Sequence, residues 1–185
     1  MNYGTKKFYE NHHKTKWYYK QNNQGLDLMD NWNTHLKIES PVLDVGCGNG
    51  LLCDYLVRKD ITVTGLDIID DIYEREGYEY VKHDITEPWP FEDKSFKTLL
   101  CFDVMEHLRK PDIPFVLGEM NRVGVNRIIS VAHYDAIDAY THLTIKPSEW
   151  WMTFLGSFNG EVWKKIHEIE RRPDCRASLF LSMGK

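Results

Sequence analysis

Residues 41–56, PVLDVGCGNGLLCDYL, combine the pattern of a buried strand with a glycine-rich turn and the beginning of a helix. The opening PVLDV is apolar apart from one aspartate, as expected for a strand that is covered on both faces. Glycines follow at positions 46, 48 and 50, and leucines then recur at helical spacing. Because glycine lets the backbone turn sharply and approach a ligand closely, this unit predicts a ligand site at the end of a strand.

Three further strand patterns also end on an aspartate. ITVTGLD ends at Asp67, YEYVKHD ends at Asp84 and SFKTLLCFD ends at Asp103. Strand and helix patterns alternate, and EVWKKIHEIERR and CRASLFLSMGK read as a late pair of strands, so we expect a doubly wound α/β domain with a mostly parallel sheet and a C-terminal antiparallel hairpin. In such sheets ligands bind outside the carboxyl ends of the strands, which would place these aspartates and Asp44 along one rim.

Composition narrows the possible functions. The chain has 185 residues, of which 42% are hydrophobic, and this size is usual for one compact domain. A net charge of −5 gives no overall field that would recruit nucleic acid. The four cysteines form no CxxC pair and no zinc-type spacing with histidine, so we expect reduced thiols and no metal site. The sequence shows neither a signal-peptide pattern nor a membrane-spanning run, which predicts a cytoplasmic protein and leaves its oligomeric state open.

The spacing of the glycines distinguishes between two nucleotide cofactors. The dinucleotide fingerprint places its third glycine three residues after the second, whereas Gly50 follows Gly48 by two. Asp44 stands two residues before the first glycine, where its carboxylate would repel a pyrophosphate. S-adenosylmethionine instead carries an ammonium and a sulfonium, so it suits this acidic setting. A nicotinamide-dependent dehydrogenase is kept as an alternative.

The stretch VLDVGCGNG resembles the first motif of the class I S-adenosylmethionine-dependent methyltransferases. The resemblance runs from about residue 41 to the C-terminus. It implies a Rossmann-like fold with strand order 3-2-1-4-5-7-6 and S-adenosylmethionine as cofactor. The chain is accordingly divided into an N-terminal helical and aromatic segment, residues 1–40, which can act as a lid, and a cofactor-binding methyltransferase domain, residues 41–185.

The same resemblance implies roles for individual residues. Asp67 would bind both ribose hydroxyls, while residues after the second and third strands would contact the adenine and residues at the end of the fourth strand would lie beside the methionine part. The implied cofactor-binding set is Asp44, Gly46, Cys47, Gly48, Gly50, Asp67, Ile68, Asp84, Ile85, Cys101 and Phe102.

The methyl acceptor is defined less closely. Methylation of an oxygen usually needs a base or a metal, whereas an amine must only be neutral. His133, placed just after the fifth strand, and His142, in YTHLTIKPSEWW, are the candidate bases, with a packing or hydrogen-bonding role as the alternative for each. His107 is expected to pack or to hydrogen-bond a neighbour, and one of Trp150 and Trp151 is expected in the core.

DNA is not expected as a partner. The fourth strand ends in CFDV instead of a DPPY-type motif, and no Pro-Cys pair is present to supply a cytosine-directed nucleophile. We therefore expect a small-molecule acceptor. A methyltransferase-like binding or scaffold module without turnover is the alternative from another class.

Overall fold

The computed structural model describes residue 29 and residues 36–69, 76–135, 141–158, 162–172 and 175–183. The strands are β1 (Val42–Val45), β2 (Val63–Asp67), β3 (Glu79–Lys82), β4 (Phe96–Phe102), β5 (Gly124–Asp135), β6 (Trp163–Arg172) and β7 (Cys175–Ser182). The helices bounded within these residues are α1 (Leu51–Val57), α2 (Ile113–Val123) and α3 (Ser148–Ser157), with a short 3-10 turn at Met105–His107.

The seven strands form one sheet in the order β3-β2-β1-β4-β5-β7-β6. Strands β1 to β5 are parallel to one another, while β7 runs antiparallel between β5 and β6. The predicted doubly wound α/β fold, its C-terminal hairpin and its strand order are therefore confirmed. The parallel half of the sheet brings the carboxyl ends of β1, β2, β3 and β4 to one edge.

Helices cover both faces of the sheet because successive strand residues point to opposite sides. Leu43 and Val45 of β1 belong to a core that also contains buried residues of α2 and α3. Val42 belongs to the second core, with Leu52 and Leu56 of α1. By the same alternation Asp44, which is buried, faces α1.

Strand β5 is longer than the sequence predicted. Its pairing with β4 ends at Ser130, but its pairing with β7 continues to Asp135. His133 therefore lies within β5, and its prediction as a residue of the following loop is wrong. The polar sequence HYD does not have the pattern of a strand. It is part of one here because the antiparallel partner β7, not local propensity, supplies the backbone hydrogen bonds.

The predicted N-terminal segment, residues 1–40, falls mostly outside the described residues, so its role as a lid stays a prediction. Two of its described residues, Met29 and Leu36, are buried in the core beside α1.

In the part of the chain that the structure describes, no helix combines the length and the apolar character needed to cross a bilayer.

Trp151 provides a test of the packing between α3 and the sheet. Its side chain is wholly buried, as expected for one tryptophan of the pair, and Trp150 packs edge-on against it at 5.0 Å between ring centroids. Trp151→Ala should lower the free energy of unfolding by about 3–5 kcal/mol through lost burial and a residual cavity. Thr153→Ala, on the exposed side of the same helix, should change it by less than about 0.5 kcal/mol in the same denaturant titration. Similar losses in both variants would contradict this packing.

Candidate cofactor and acceptor site

The glycine loop has a backbone that side chains would strain. Gly46, Gly48 and Gly50 have φ values of +73°, +54° and +79°, all in the left-handed region. The amide of Gly46 donates to the carbonyl of Leu66 at 2.7 Å, which fixes the start of the loop against β2. A Cβ at Gly46 would also overlap the side chain of Val104. The loop therefore turns tightly between the ends of β1, β2 and β4.

Asp67, the last residue of β2, joins this loop through its carboxylate. Oδ2 accepts a hydrogen bond from the amide of Gly48 at 2.8 Å, and Oδ1 accepts one from the amide of Ile69 at 3.2 Å. The side chain is buried, at 8% exposure. The carboxylate thus stabilises both its own turn and the glycine loop, at the place where the sequence predicted it. Its bond to a ribose stays a prediction.

The end of β3 lies directly beside the end of β2, since the amide of His83 donates to the carbonyl of Asp67 at 2.8 Å. Asp84 closes the next turn: its Oδ1 accepts from the amide and the hydroxyl of Thr86 at 3.0 and 2.7 Å. The carbonyl of Ile85 accepts from the indole of Trp89 at 2.8 Å. Asp84 therefore has a structural role in this turn, and its contact with adenine stays a prediction.

The apolar candidates around this edge are all partly buried. Ile85 packs against the core beside α2 and α3, and Phe102 packs against the core beside α1. Ile68 is likewise intermediate in burial. Partial exposure leaves each of them surface with which to contact a ligand.

The cysteine of the glycine loop faces the sheet. A Cβ added at Gly65 of β2 would lie 2.8 Å from Sγ of Cys47 and 3.4 Å from Sγ of Cys53, so both thiols occupy the space that this glycine leaves. The thiol of Cys53 also donates to Oδ2 of Asp44 at 3.3 Å. A hydrogen bond with Cys47, burial and the charge of Asp44 together raise the pKa of Cys53 well above its usual range. Cys53 is therefore a protonated packing group under the loop, and the thiol of Cys47 packs beside it.

Carboxylates surround the end of β4. Cys101 is wholly buried, and its pKa is raised first by burial and then by the negative charges of Glu106, Asp44 and Asp103. Asp103 directly follows the strand with a φ of +56°, an uncommon conformation for a residue other than glycine. The hydroxyl of Ser130 donates to its Oδ1 at 3.0 Å. These acidic side chains lie together at the end of β4, and their contact with a cationic ligand stays a prediction.

A second group lies just beyond β4. One ligand atom from each of Glu106, His107 and His142 falls within 4.8 Å of the others, and the two imidazole rings are 4.6 Å apart. His107 packs against His142, in agreement with its expected packing role. This group is not evident in the sequence, because it contains no cysteine or zinc-type spacing and His142 lies 35 positions beyond His107. The adjacent pair of Glu106 and His107 after a strand was the sequence feature that could have indicated this group.

His133 belongs to a different set of contacts. Its Nε2 lies 3.6 Å from Oε1 of Glu168 on β6, and its side chain is 9% exposed. Burial is the main cause that lowers its pKa. The two candidate bases are thus not equivalent: His142 lies with the group after β4, whereas His133 lies with charged residues of the C-terminal hairpin.

Comparison with known proteins agrees with this architecture. Residues 42–124 match the family described as a methyltransferase domain. A ubiquinone biosynthesis O-methyltransferase of Salmonella newport is 32% identical over 79 residues, which cover 38% of this chain and 33% of that protein. The chain therefore matches about a third of the length of such curated relatives.

Two solved structures share this fold over most of the chain. The 1,6-didemethyltoxoflavin-N1-methyltransferase of Burkholderia thailandensis, with 1,6-didemethyltoxoflavin and S-adenosylhomocysteine bound, has a TM-score of 0.76 at 13% identity, covering 97% of this chain and 86% of that chain. The [4+2]-cyclase SpnF has a TM-score of 0.66 at 15% identity, covering 85% and 80%.

The strand order is that of the Rossmann-like methyltransferase fold, and residues 42–124, somewhat less than half of the chain, match a methyltransferase-domain family. These residues contain β1 to β4, the glycine loop and the strand-end acids that carry the resemblance in the sequence. That resemblance is confirmed. A cyclase also has this fold, so the fold alone does not define the reaction, which depends on the residues of the site.

The burial of His133 predicts a pH dependence of stability. Its folded-state pKa lies below the unfolded value of about 6.5, so the unfolded chain takes up this proton first as the pH falls. Its contribution to stability is complete above about pH 6.5 and decreases as the pH falls below that value. Glu168 and Glu149 oppose the shift, while Lys165 and Arg176 reinforce it.

The measurement is the free energy of unfolding at pH 7.5 and at pH 5.5 for the wild type and for His133→Gln. The wild type should lose more stability between these pH values, because the other histidines titrate in both proteins and cancel. Equal losses would show that the imidazole of His133 does not resist protonation.

Proposed function

We propose that this protein is an enzyme that transfers a methyl group from S-adenosylmethionine to an oxygen of a small-molecule acceptor. The observation that carries the proposal is the 2.8 Å bond between the Asp67 carboxylate and the amide of Gly48. It places a buried acid and a left-handed glycine loop side by side, and both are features that a nucleoside with an adjacent cationic chain requires. The carboxylates around the end of β4 add the negative charge.

The residues at this edge fit the cofactor in their chemistry. Asp67 would accept hydrogen bonds from the ribose hydroxyls, and Ile68, Asp84 and Ile85 would hold the adenine. The glycine loop, Asp44, Cys101 and Phe102 would hold the methionine part. When bound, S-adenosylmethionine supplies an electrophilic methyl group on a sulfonium. The acidic residues would stabilise its positive charge in a site of low polarity.

The acceptor side of the site is proposed to lie at Glu106, His107 and His142. An acceptor hydroxyl must lose its proton as its oxygen bonds to the methyl carbon, and an imidazole can take up that proton. His142 fits this role better than His133, because His142 lies beside the residues that follow β4. A small-molecule oxygen acceptor is in line with the name of the Salmonella newport relative, and the methyltransferase of Burkholderia thailandensis also holds a small molecule.

A binding or scaffold module without turnover is the competing function, because the fold alone does not establish catalysis. The dehydrogenase alternative is disfavoured by the strand order. Here β7 is inserted antiparallel between β5 and β6, and dinucleotide-binding domains lack such an inserted strand. Incubation with methyl-labelled cofactor and fractions of small-molecule extract separates the remaining two. Labelled product supports the enzyme, while cofactor binding without label in any fraction supports the module.

Asp67→Ala tests the cofactor site. Loss of charge-assisted hydrogen bonds to two hydroxyls should weaken S-adenosylhomocysteine binding by at least about 10-fold in calorimetry, or about 1.4 kcal/mol. The variant should also lose some stability, because the amides of Gly48 and Ile69 lose their acceptor. Asp112→Ala removes a carboxylate that pairs with Arg109 at the surface, and it should leave the affinity unchanged. Unchanged affinity in Asp67→Ala would count against the proposed cofactor site.

A further inference from the structure

The residues that follow β4 bring together one carboxylate and two imidazoles. Glu106 is wholly buried, whereas His107 and His142 are partly exposed. One ligand atom from each lies within 4.8 Å of the other two. A buried carboxylate beside two imidazoles is a common set of metal ligands, and a surface cluster of acids would lack both the burial and the nitrogen donors.

Backbone hydrogen bonds hold this group in place. The amide of Thr144 donates to the carbonyl of Glu106 at 2.9 Å, and the hydroxyl of Thr144 donates to the carbonyl of Leu108 at 2.7 Å. The amide of Ala132 donates to Oε1 of Glu106 at 2.9 Å. The chain on either side of the group is therefore fixed to the 3-10 turn and to β5. Such fixed ligands lose little conformational entropy when an ion binds.

The hydrogen bond of His107 sets the tautomer that binds metals. Its Nδ1 lies 3.0 Å from the carbonyl oxygen of Thr141, and because a carbonyl only accepts, Nδ1 carries the proton. In the neutral ring the lone pair is then on Nε2. Metal-binding histidines typically donate their other ring nitrogen to a carbonyl or carboxylate in this way, which orients the ring and makes the ligand more basic.

We propose that Glu106, His107 and His142 bind one divalent first-row transition-metal ion. Two histidines and one carboxylate are the ligand set of catalytic zinc sites and of non-haem iron sites, and they leave coordination positions open. Bonds of about 2.0–2.2 Å place ligand atoms roughly 3–3.5 Å apart, so the group would contract by about 1–2 Å on binding.

The role of this ion in catalysis rests on the proposed function, whereas its binding does not. The site lies next to the glycine loop, since Val104, two residues before Glu106, fills the space beside Gly46. With a nitrogen lone pair on the ion, His142 would bind metal instead of acting as the base. An acceptor hydroxyl bound at an open position would then lose its proton to solvent more readily, because the ion lowers its pKa. Its oxygen would then form the bond to the methyl carbon while the carbon–sulfur bond breaks and leaves its electron pair on sulfur.

The test measures metal binding without any assay of activity. The full chain is treated with a chelator, dialysed and titrated with Mn²⁺ by electron paramagnetic resonance and with Co²⁺ by visible absorption. The wild type should bind one ion per chain, without the charge-transfer band of a cobalt thiolate. His142→Ala and Glu106→Gln should weaken binding by at least about 10-fold. His167→Ala, a histidine of β6 outside this group, should bind as the wild type does.

Thermal unfolding followed by circular dichroism confirms that each variant is folded; if Glu106→Gln does not fold, His142→Ala alone decides. No saturable binding by the wild type, or equal binding by His142→Ala, overturns the proposed metal site. S-adenosylhomocysteine is titrated into the metal-free protein in parallel. If S-adenosylhomocysteine binds and metal does not, only the proposed metal site is overturned. If metal binds and S-adenosylhomocysteine does not, only the proposed cofactor site is overturned.

Discussion

The hydrogen bond between the carboxylate of Asp67 and the amide of Gly48 connects the parts of this structure that matter for function. It spans from the end of β2 to the loop after β1, so β1, β2 and α1 are held in one arrangement. The left-handed glycines make the bond possible, because a chain with ordinary φ values would direct this amide elsewhere. The bond also keeps a charged group at a mostly buried position, where an amide partner offsets the cost of desolvation.

Much of the fold was predictable from the sequence because its signals are local. Apolar runs ending at Asp67 and Asp103 mark buried parallel strands, and the glycines after β1 mark a tight turn before a helix. Local signals do not predict the end of β5. Residues 134 and 135 are strand only because β7, some 40 residues later in the chain, pairs with them, and His133 lies at the register shift just before them. No local pattern contains that partner, so the sequence placed His133 in a loop.

The candidate site also has a part that could be predicted from local sequence and a part that could not. Asp67 and the glycine loop could be located because each stands at the end of a recognisable strand. The group of Glu106, His107 and His142 could not, since it forms only when Thr144 and Thr141 bond back to the 3-10 turn. Two histidines that looked equivalent in the sequence also acquire different neighbours through tertiary packing. Sequence pattern thus located the strand-end half of the site, and the other half is a product of long-range contacts.

The contact between Val104 and Gly46 has a consequence for how the two halves of the site respond to ligands. Val104 fills the space beside the first glycine of the loop, and the turn that carries Glu106 and His107 begins immediately after it. A ligand that displaces the loop must therefore displace that turn. Where binding at one half shifts this contact, the affinity of the other half would change by a coupling free energy, which thermodynamic linkage requires to be the same in both directions.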